Sequence, residues 1–299
     1  VMDVVGLINL STLPGGVGTG SYSIYTASLN YMLDSANYPH VVWGELTATD
    51  NTDVYYYSHV TGNTINISQL PGSAGPGNLS IAFPDNYTFF SNEDPKLGIP
   101  MQIAADGTAR IFWLEGGIPY FYNEATGTVT NLFTLAGSVA DGAVVANNFS
   151  IALDIDSSGY AHAAWMAINS DSSDTYYYNE QTNTVTNVSR VAGGPGSSGA
   201  LGVWASSVRI DVDAAGIAHI IWAEGAGSLE DMYYYNSGTG VDINLSSLIP
   251  GGYGAVGGIT FNDNTTNIEI GQDGFARIAW KENGVTPNTT NPYVFLYDG

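Results

Sequence analysis

The chain has 299 residues and is 44% hydrophobic, which is ordinary for a packed protein. Its 28 acidic residues stand against only 6 Lys and Arg, a formal net charge of −22. That leaves nothing to neutralise phosphates, so a nucleic-acid partner is excluded. There is no cysteine and hence no disulfide framework, and no apolar run reaches the length of a membrane span.

In chain order, Val1–Leu13 is predicted as a strand carrying INLS around Asn9, and a Gly-rich loop from Pro14 to Ser23 follows it. Then comes a four-part unit: YMLD, YPHVVW ending at Trp43, VYYYS over Tyr55, Tyr56 and Tyr57, and INIS at Asn66. The same unit returns at Trp113, Trp165, Trp222 and Trp280, with Tyr-rich segments at Tyr122, Tyr178, Tyr235 and Tyr297. Its last piece recurs at Asn131, Asn187 and Asn244, and only the fifth copy lacks it. β-Branched and aromatic residues punctuated by Gly, Asn and Pro read as strands. Four antiparallel strands repeated five times predict an all-β, five-bladed β-propeller, with the N-terminal strand closing the last blade. The blades are expected near residues 24–70, 98–136, 149–191, 206–248 and 266–299 plus 1–13, in one domain over 1–299. An insert over Asn78–Pro100 carries Phe83, Phe89 and Phe90, a loop placed for contacts.

Five of the ten His, Lys and Arg residues fall three positions before a repeat Trp: His40, Arg110, His162, His219 and Arg277. Three residues earlier stand Asn37, Gly107, Gly159, Gly216 and Gly274, types that tolerate a left-handed turn. An acid accompanies each base: Asp34, Asp156 and Asp213 in the His copies, Asp106 and Asp273 in the Arg copies. Fivefold repetition argues for a structural lock on each inner hairpin rather than for catalysis. Further along the inner face lie Met32, Gln102, Asp154, Asp211 and Glu269, whose acids would meet in a central channel. A glycosidase needs such carboxylates, but a metal site is not expected, because no calcium-loop spacing is present. Trp204, with Tyr25 in the matching place of the first copy, breaks the pattern and is a candidate ligand or partner contact, as are Phe89 and Phe90. Glycosylation sequons stand at Asn9, Asn66, Asn78, Asn86, Asn148, Asn187, Asn244, Asn264 and Asn288.

In blade number and in closure by a strand from the other terminus, the repeats resemble five-bladed propellers of the tachylectin type. The D-x-x-G turn followed by Trp, as at Asp156–Gly159 and Asp213–Gly216, is similar in spirit to the Asp-box of sialidases. It departs from the S-x-D-x-G-x-T-W spacing, and no arginine trio is present to bind an acidic sugar. These resemblances imply a fold and a lean toward carbohydrate contact.

The sequence opens at Val1 without a basic, then apolar, leader, so export of a processed chain is the expectation. With no catalytic set and no cofactor motif, the expected function is that of a non-enzymatic, glycosylated extracellular or cell-surface structural protein. It would self-assemble into a filament or coat through the Val1–Leu13 strand. A lectin-like carbohydrate-binding module is the alternative, and a glycoside hydrolase with channel carboxylates the second.

Overall fold

The computed structural model describes residues 7–16, 29–48, 51–73, 75, 98–138, 144–145, 151–168, 173–194, 208–226, 229–249, 266–283 and 292–299. They form five antiparallel sheets, the blades of an all-β, five-bladed propeller. Blade 1 holds β1 (Asn30–Leu33), β2 (Pro39–Ala48), β3 (Asn51–Ser58) and β4 (Asn63–Asn66); blade 2 holds β5 (Met101–Ile103), β6 (Ala109–Glu115), β7 (Ile118–Asn123) and β8 (Thr128–Asn131). A two-residue strand, β9 (Val144–Val145), joins blade 3, which is otherwise β10 (Ile151–Ile155), β11 (Ala161–Ile168), β12 (Ser173–Asn179) and β13 (Thr184–Asn187). Blade 4 holds β14 (Arg209–Val212), β15 (Ala218–Ala226), β16 (Leu229–Asn236) and β17 (Val241–Asn244). Blade 5 has three strands among the described residues: β18 (Asn267–Ile270), β19 (Ala276–Asn283) and β20 (Pro292–Asp298).

Strand alternation explains why three tyrosines in a row can all be buried. Along β3, Tyr56 faces blade 2 and packs with Val42, Trp113 and Tyr122. Tyr55 and Tyr57 face the other way, with Trp43, onto Leu10 and Leu13. The next interfaces repeat this: Phe112 and Phe121 meet Trp165 and Tyr178, and Met166 and Tyr177 meet Trp222 and Tyr235. At the last, Ile221 and Tyr234 meet Trp280. The core is therefore a set of aromatic layers between blades. The expected left-handed turn residues adopt positive φ, from 64° at Asn37 to 84° at Gly159, which places the inner hairpins in register.

The N-terminal segment differs from its expected form. Over its described part, residues 7–16, it is a 3-10 turn at Leu10–Thr12 capped by Asn9, whose Oδ1 accepts the Ser11 N–H at 3.2 Å. The matching turns after Asn66 and Asn131 show the reason: the repeat Asn ends the strand and begins a 3-10 turn. Even so, the segment docks on blade 1 as each blade's tail docks on the next. Thr64 N–H donates to Pro14 C=O, as Val185 N–H does to Ala136 and Asp242 N–H to Ala192. Gly15 takes φ 86°, and a Cβ there would lie 2.0 Å from Thr64 O; Gly137 at 85° would clash with Val185 O at 1.9 Å. Only glycine fits under that strand.

Candidate functional site: blade interfaces and channel

Each base of the inner hairpins is held by a blade, though not always by the acid the spacing pairs it with. Asp34 Oδ1 accepts the N–H groups of Ala36 and Tyr38, both at 2.8 Å, and its other oxygen lies 3.9 Å from His40 Nε2. Asp156 and Asp213 do the same for their turns, 3.7 and 3.6 Å from His162 and His219. Burial lowers the pKa of His162 and His219, with the nearby aspartates opposing it. In the fifth copy Arg277 makes a bidentate contact with Asp273 at 2.7 and 2.8 Å and adds Asp298 at 3.2 Å. The second copy departs from the expected pairing. Asp106 is taken up by the Thr108 N–H and hydroxyl, while Arg110 Nε turns to Glu180 of blade 3 at 3.2 Å. Arg110 is buried and needs a desolvated partner, which Glu180 supplies across the interface.

The channel acids are tied into the scaffold as well. Asp154 accepts the Val212 N–H at 2.9 Å, and Asp211 accepts the Ile270 N–H at 2.7 Å, so each carboxylate reaches the inner strand of the following blade. Gln102 donates to Leu153 C=O in the same sense. Burial, then the neighbouring Asp211, raises the Asp154 pKa. Glu269 is exposed on β18 and is not drawn into this chain of contacts. Among the described residues no group of three or more His, Asp or Glu gathers as a metal site.

The most elaborate arrangement is one the repeat Trp alone does not reveal. Two residues after Trp43, Trp113 and Trp222 stand Glu45, Glu115 and Glu224, and each accepts its own tryptophan's indole N–H at 2.9 to 3.1 Å. The same carboxyls are reached by the N-x-S serine of the preceding segment: Ser11 to Glu45 at 2.9 Å, Ser189 to Glu224 at 2.5 Å, and Ser68 to Glu115. Inside its own blade, each of Ser68, Ser189 and Ser246 also accepts a backbone N–H, from Val54, Thr175 and Met232. The asparagines bind within the blade too, since the amides of Asn66, Asn187 and Asn244 donate to Asp53, Asp174 and Asp231 at 2.8 Å. Blade 2 breaks the pattern consistently. Phe133 replaces the serine, Pro119 has no N–H to offer it, Ile118 replaces the aspartate, and Ala167 replaces the glutamate of blade 3. Trp165 Nε1 is then buried with no hydrogen-bond partner among the described residues.

These contacts give three of the sequons a place inside the blades. A glycan on Asn66, Asn187 or Asn244 would displace an amide that donates to an aspartate, beside serines that are 0 to 1% exposed. Asn9 is exposed, and its described contact uses the oxygen, which leaves the amide nitrogen free of that bond. Asn78, Asn86, Asn148, Asn264 and Asn288 lie outside the described residues, as do Trp204, Tyr25, Phe89 and Phe90. The glutamates were findable from the W-x-E spacing in four of the five copies, Glu282 being the fourth. A Ser189→Ala substitution is expected to destabilise the ring by about 2 kcal/mol, because it orphans both Thr175 N–H and one contact of Glu224. Urea denaturation with Trp emission as the readout checks this.

No family model matches the chain, and no curated protein matches it. Solved structures do. A TolB from Acinetobacter baumannii aligns at a TM-score of 0.36 and 12% identity over 88% of this chain; the chain spans about half (53%) of that one. An oligogalacturonate lyase in complex with manganese aligns at 0.43 and 7% identity over 93% of this chain and 71% of the other. The polysaccharide lyase Uly1 aligns at 0.42 and 11% identity over 99% and 76%. At these identities the likeness is one of fold.

Proposed function

We propose that this protein is a non-enzymatic structural component of an extracellular or cell surface, assembling with its own kind by strand exchange. The observation that carries the reading is a pair of matching open faces. The edge of β20 has no outer neighbour among the described residues and presents Val294 and Leu296, 78% and 71% exposed. Leu7 and Ile8, at the start of the N-terminal segment, are 104% and 51% exposed. In the blades with four strands, the residue opposite the repeat Asn is the first of the Tyr-rich trio, as in Tyr55 with Asn66. By that register Phe295 is the partner of Asn9, and Leu296 that of Ile8. An exposed apolar edge and an N-terminal segment carrying the outer-strand sequence are the components of strand addition. Either the same chain or a neighbour supplies the strand, and supply by a neighbour gives a head-to-tail polymer. On this reading glycans sit on Asn9, Asn78, Asn86, Asn148, Asn264 and Asn288, away from the three buried N-x-S contacts. The polar, weakly charged composition fits an exported surface.

The chain has no cysteine, so a cross-strand pair can be introduced without background. In an Ile8→Cys/Leu296→Cys protein, oxidation is expected to give a ladder of covalent multimers on non-reducing gels, with regular fibres in electron micrographs of the native material. Covalent monomers alone at every concentration, with single rings in micrographs, would overturn the assembly reading.

A further inference from the structure

The segment after each of four 3-10 turns, those at Leu10–Thr12, Ile67–Gln69, Leu132–Thr134 and Val188–Arg190, crosses the outer strand of the following blade as a strap. A Cβ built on the strap glycines Gly15, Gly72, Gly137 and Gly193 would lie 1.9 to 2.2 Å from the carbonyl oxygens of Thr64, Val129, Val185 and Asp242. These four residues occupy one repeat position, opposite the last residue of the Tyr-rich trio: Tyr57, Tyr122, Tyr178 and Tyr235. All are 3 to 6% exposed. Val129 and Val185 are apolar and need no partner there. Thr64 donates its hydroxyl to Leu10 C=O, in the turn that leads into its strap, at 2.9 Å. Asp242 is an acid, and neither of its carboxyl oxygens has a hydrogen-bond partner among the described residues.

The groups around Asp242 do not favour its ionised form. Glu224 faces it from β15, and Tyr233 and Tyr235 from β16. Beyond Glu224 stands Asp174 of β12, with the Arg190 that binds it. The strap above, Ala192 to Gly194, is uncharged. Burial first, and then Glu224, push the Asp242 carboxyl up to about 8. A Cβ on Gly194 would lie 2.5 Å from Asp242 Oδ2 and 2.6 Å from Ser189 O, so the carboxyl and the carbonyls of the preceding turn lie under one glycine. A carboxylate among carbonyls has no donor to accept from. A protonated acid has a hydroxyl to give, as Thr64 has.

We propose that Asp242 is a proton-operated latch: neutral, it holds the Ala192–Gly194 strap down by donating its O–H to the Val188–Ser189 turn, and ionised it releases the strap. Val188 C=O is the counterpart of Leu10 C=O, since each follows the repeat Asn. The strap matters because it covers an edge. Asp242 N–H donates to Ala192 C=O at 2.9 Å, and Ala192 bridges Val241 in parallel, so the strap closes the outer edge of β17. Release leaves that edge open to water or to another strand. The docked state raises the Asp242 pKa above its ordinary value of about 4 and so binds the proton more tightly. Docking is therefore favoured at lower pH and is lost as pH rises through about 8.

The test is native-state amide exchange on the intact chain between about pH 6 and 10. Protection at the Asp242 N–H is divided by that at Val185, whose N–H donates to Ala136 C=O beneath an equivalent strap. The ratio removes the pH dependence of exchange itself and any loss of global stability. It is expected to be constant at lower pH and to fall about tenfold per pH unit above about pH 8, while Thr64 follows Val185. Asp242→Thr, which copies Thr64, should hold the ratio flat. Asp242→Asn, which keeps the shape and a donor without the titration, should do the same. The carboxyl carbon resonance of Asp242 should be that of a neutral acid at about pH 6. A ratio that stays flat in the native chain, an equal fall in either variant, or an Asp242 carboxyl already ionised at about pH 6 would overturn the proposal.

Discussion

Thermal unfolding is expected to shift to higher temperature as the pH falls from 8.5 to 5, by about 5 to 10 °C. The cause is a set of carboxyls buried at the blade interfaces. Burial pushes Glu115 and Glu224 up to about 7, against the stabilising Trp and Ser hydrogen bonds that would lower them. Asp53 adds repulsion at Glu115; Asp174 adds it at Glu224, where Arg190 opposes. Asp242, 3% exposed, is pushed up to about 8 by burial and then by Glu224. Each of these groups has a folded pKa above its unfolded value, so the folded state binds more protons between the two. The stabilisation is fully present below the unfolded values near 4 and is lost as pH rises through 7 to 8. Shifts of roughly two to four pH units correspond to about 3 to 6 kcal/mol per group, offset in part by His162 and His219, whose lowered pKa values cost the folded ring stability over the same fall in pH; the net is a measurable slope. Glu224→Gln keeps an acceptor for Trp222 and Ser189 while removing one titration. It should flatten part of the dependence and leave the acid-side midpoint nearly unchanged. A midpoint that is flat or rises between pH 5 and 8.5 would show that these carboxyls are ionised in the folded ring.

The same residues show what the sequence could and could not disclose. Repeated Trp and Tyr residues at β spacing define blades because only a sheet buried on both faces uses three consecutive tyrosines, as at Tyr176, Tyr177 and Tyr178. The turn residues were legible for a local reason, since positive φ at Gly107 or Gly216 is decided by a few atoms. Pairings between blades were not. Arg110 has Asp106 four residues away and Glu180 seventy away, and the distant partner wins because the interface buries the guanidinium beside it. Asn66 and Ser68 likewise read in the sequence as a sequon, whereas Ser68 lies where one blade meets the next. A one-dimensional pattern marks a face without saying what covers it.

An exchange at the interface of blades 2 and 3 should expose the energetics of that contact most directly. Ala167 is 3% exposed, and Ala167→Glu alone would bury a carboxyl in a cluster where Phe133 stands in the place of the serine. A loss of about 3 to 5 kcal/mol is expected. Phe133→Ser alone removes a half-buried ring and leaves a hydroxyl facing Pro119, which has no N–H, and Ala167, which has no acceptor; about 2 kcal/mol is expected. Together the two substitutions recreate the Ser189–Glu224–Trp222 arrangement, and Trp165 Nε1, unpartnered in the native chain, gains an acceptor. The double variant should therefore be more stable than the sum of its parts by at least about 2 kcal/mol. The Trp165 indole N–H resonance should move to the hydrogen-bonded range shared by Trp113 and Trp222. Additivity within about 0.5 kcal/mol would mean that serine, glutamate and tryptophan are neighbours at each interface without being coupled. The simultaneous loss of serine, aspartate, backbone donor and glutamate around blade 2 argues the opposite: a ring built from copies keeps the contact whole or discards it whole, because a buried carboxyl without its donors is worse than none.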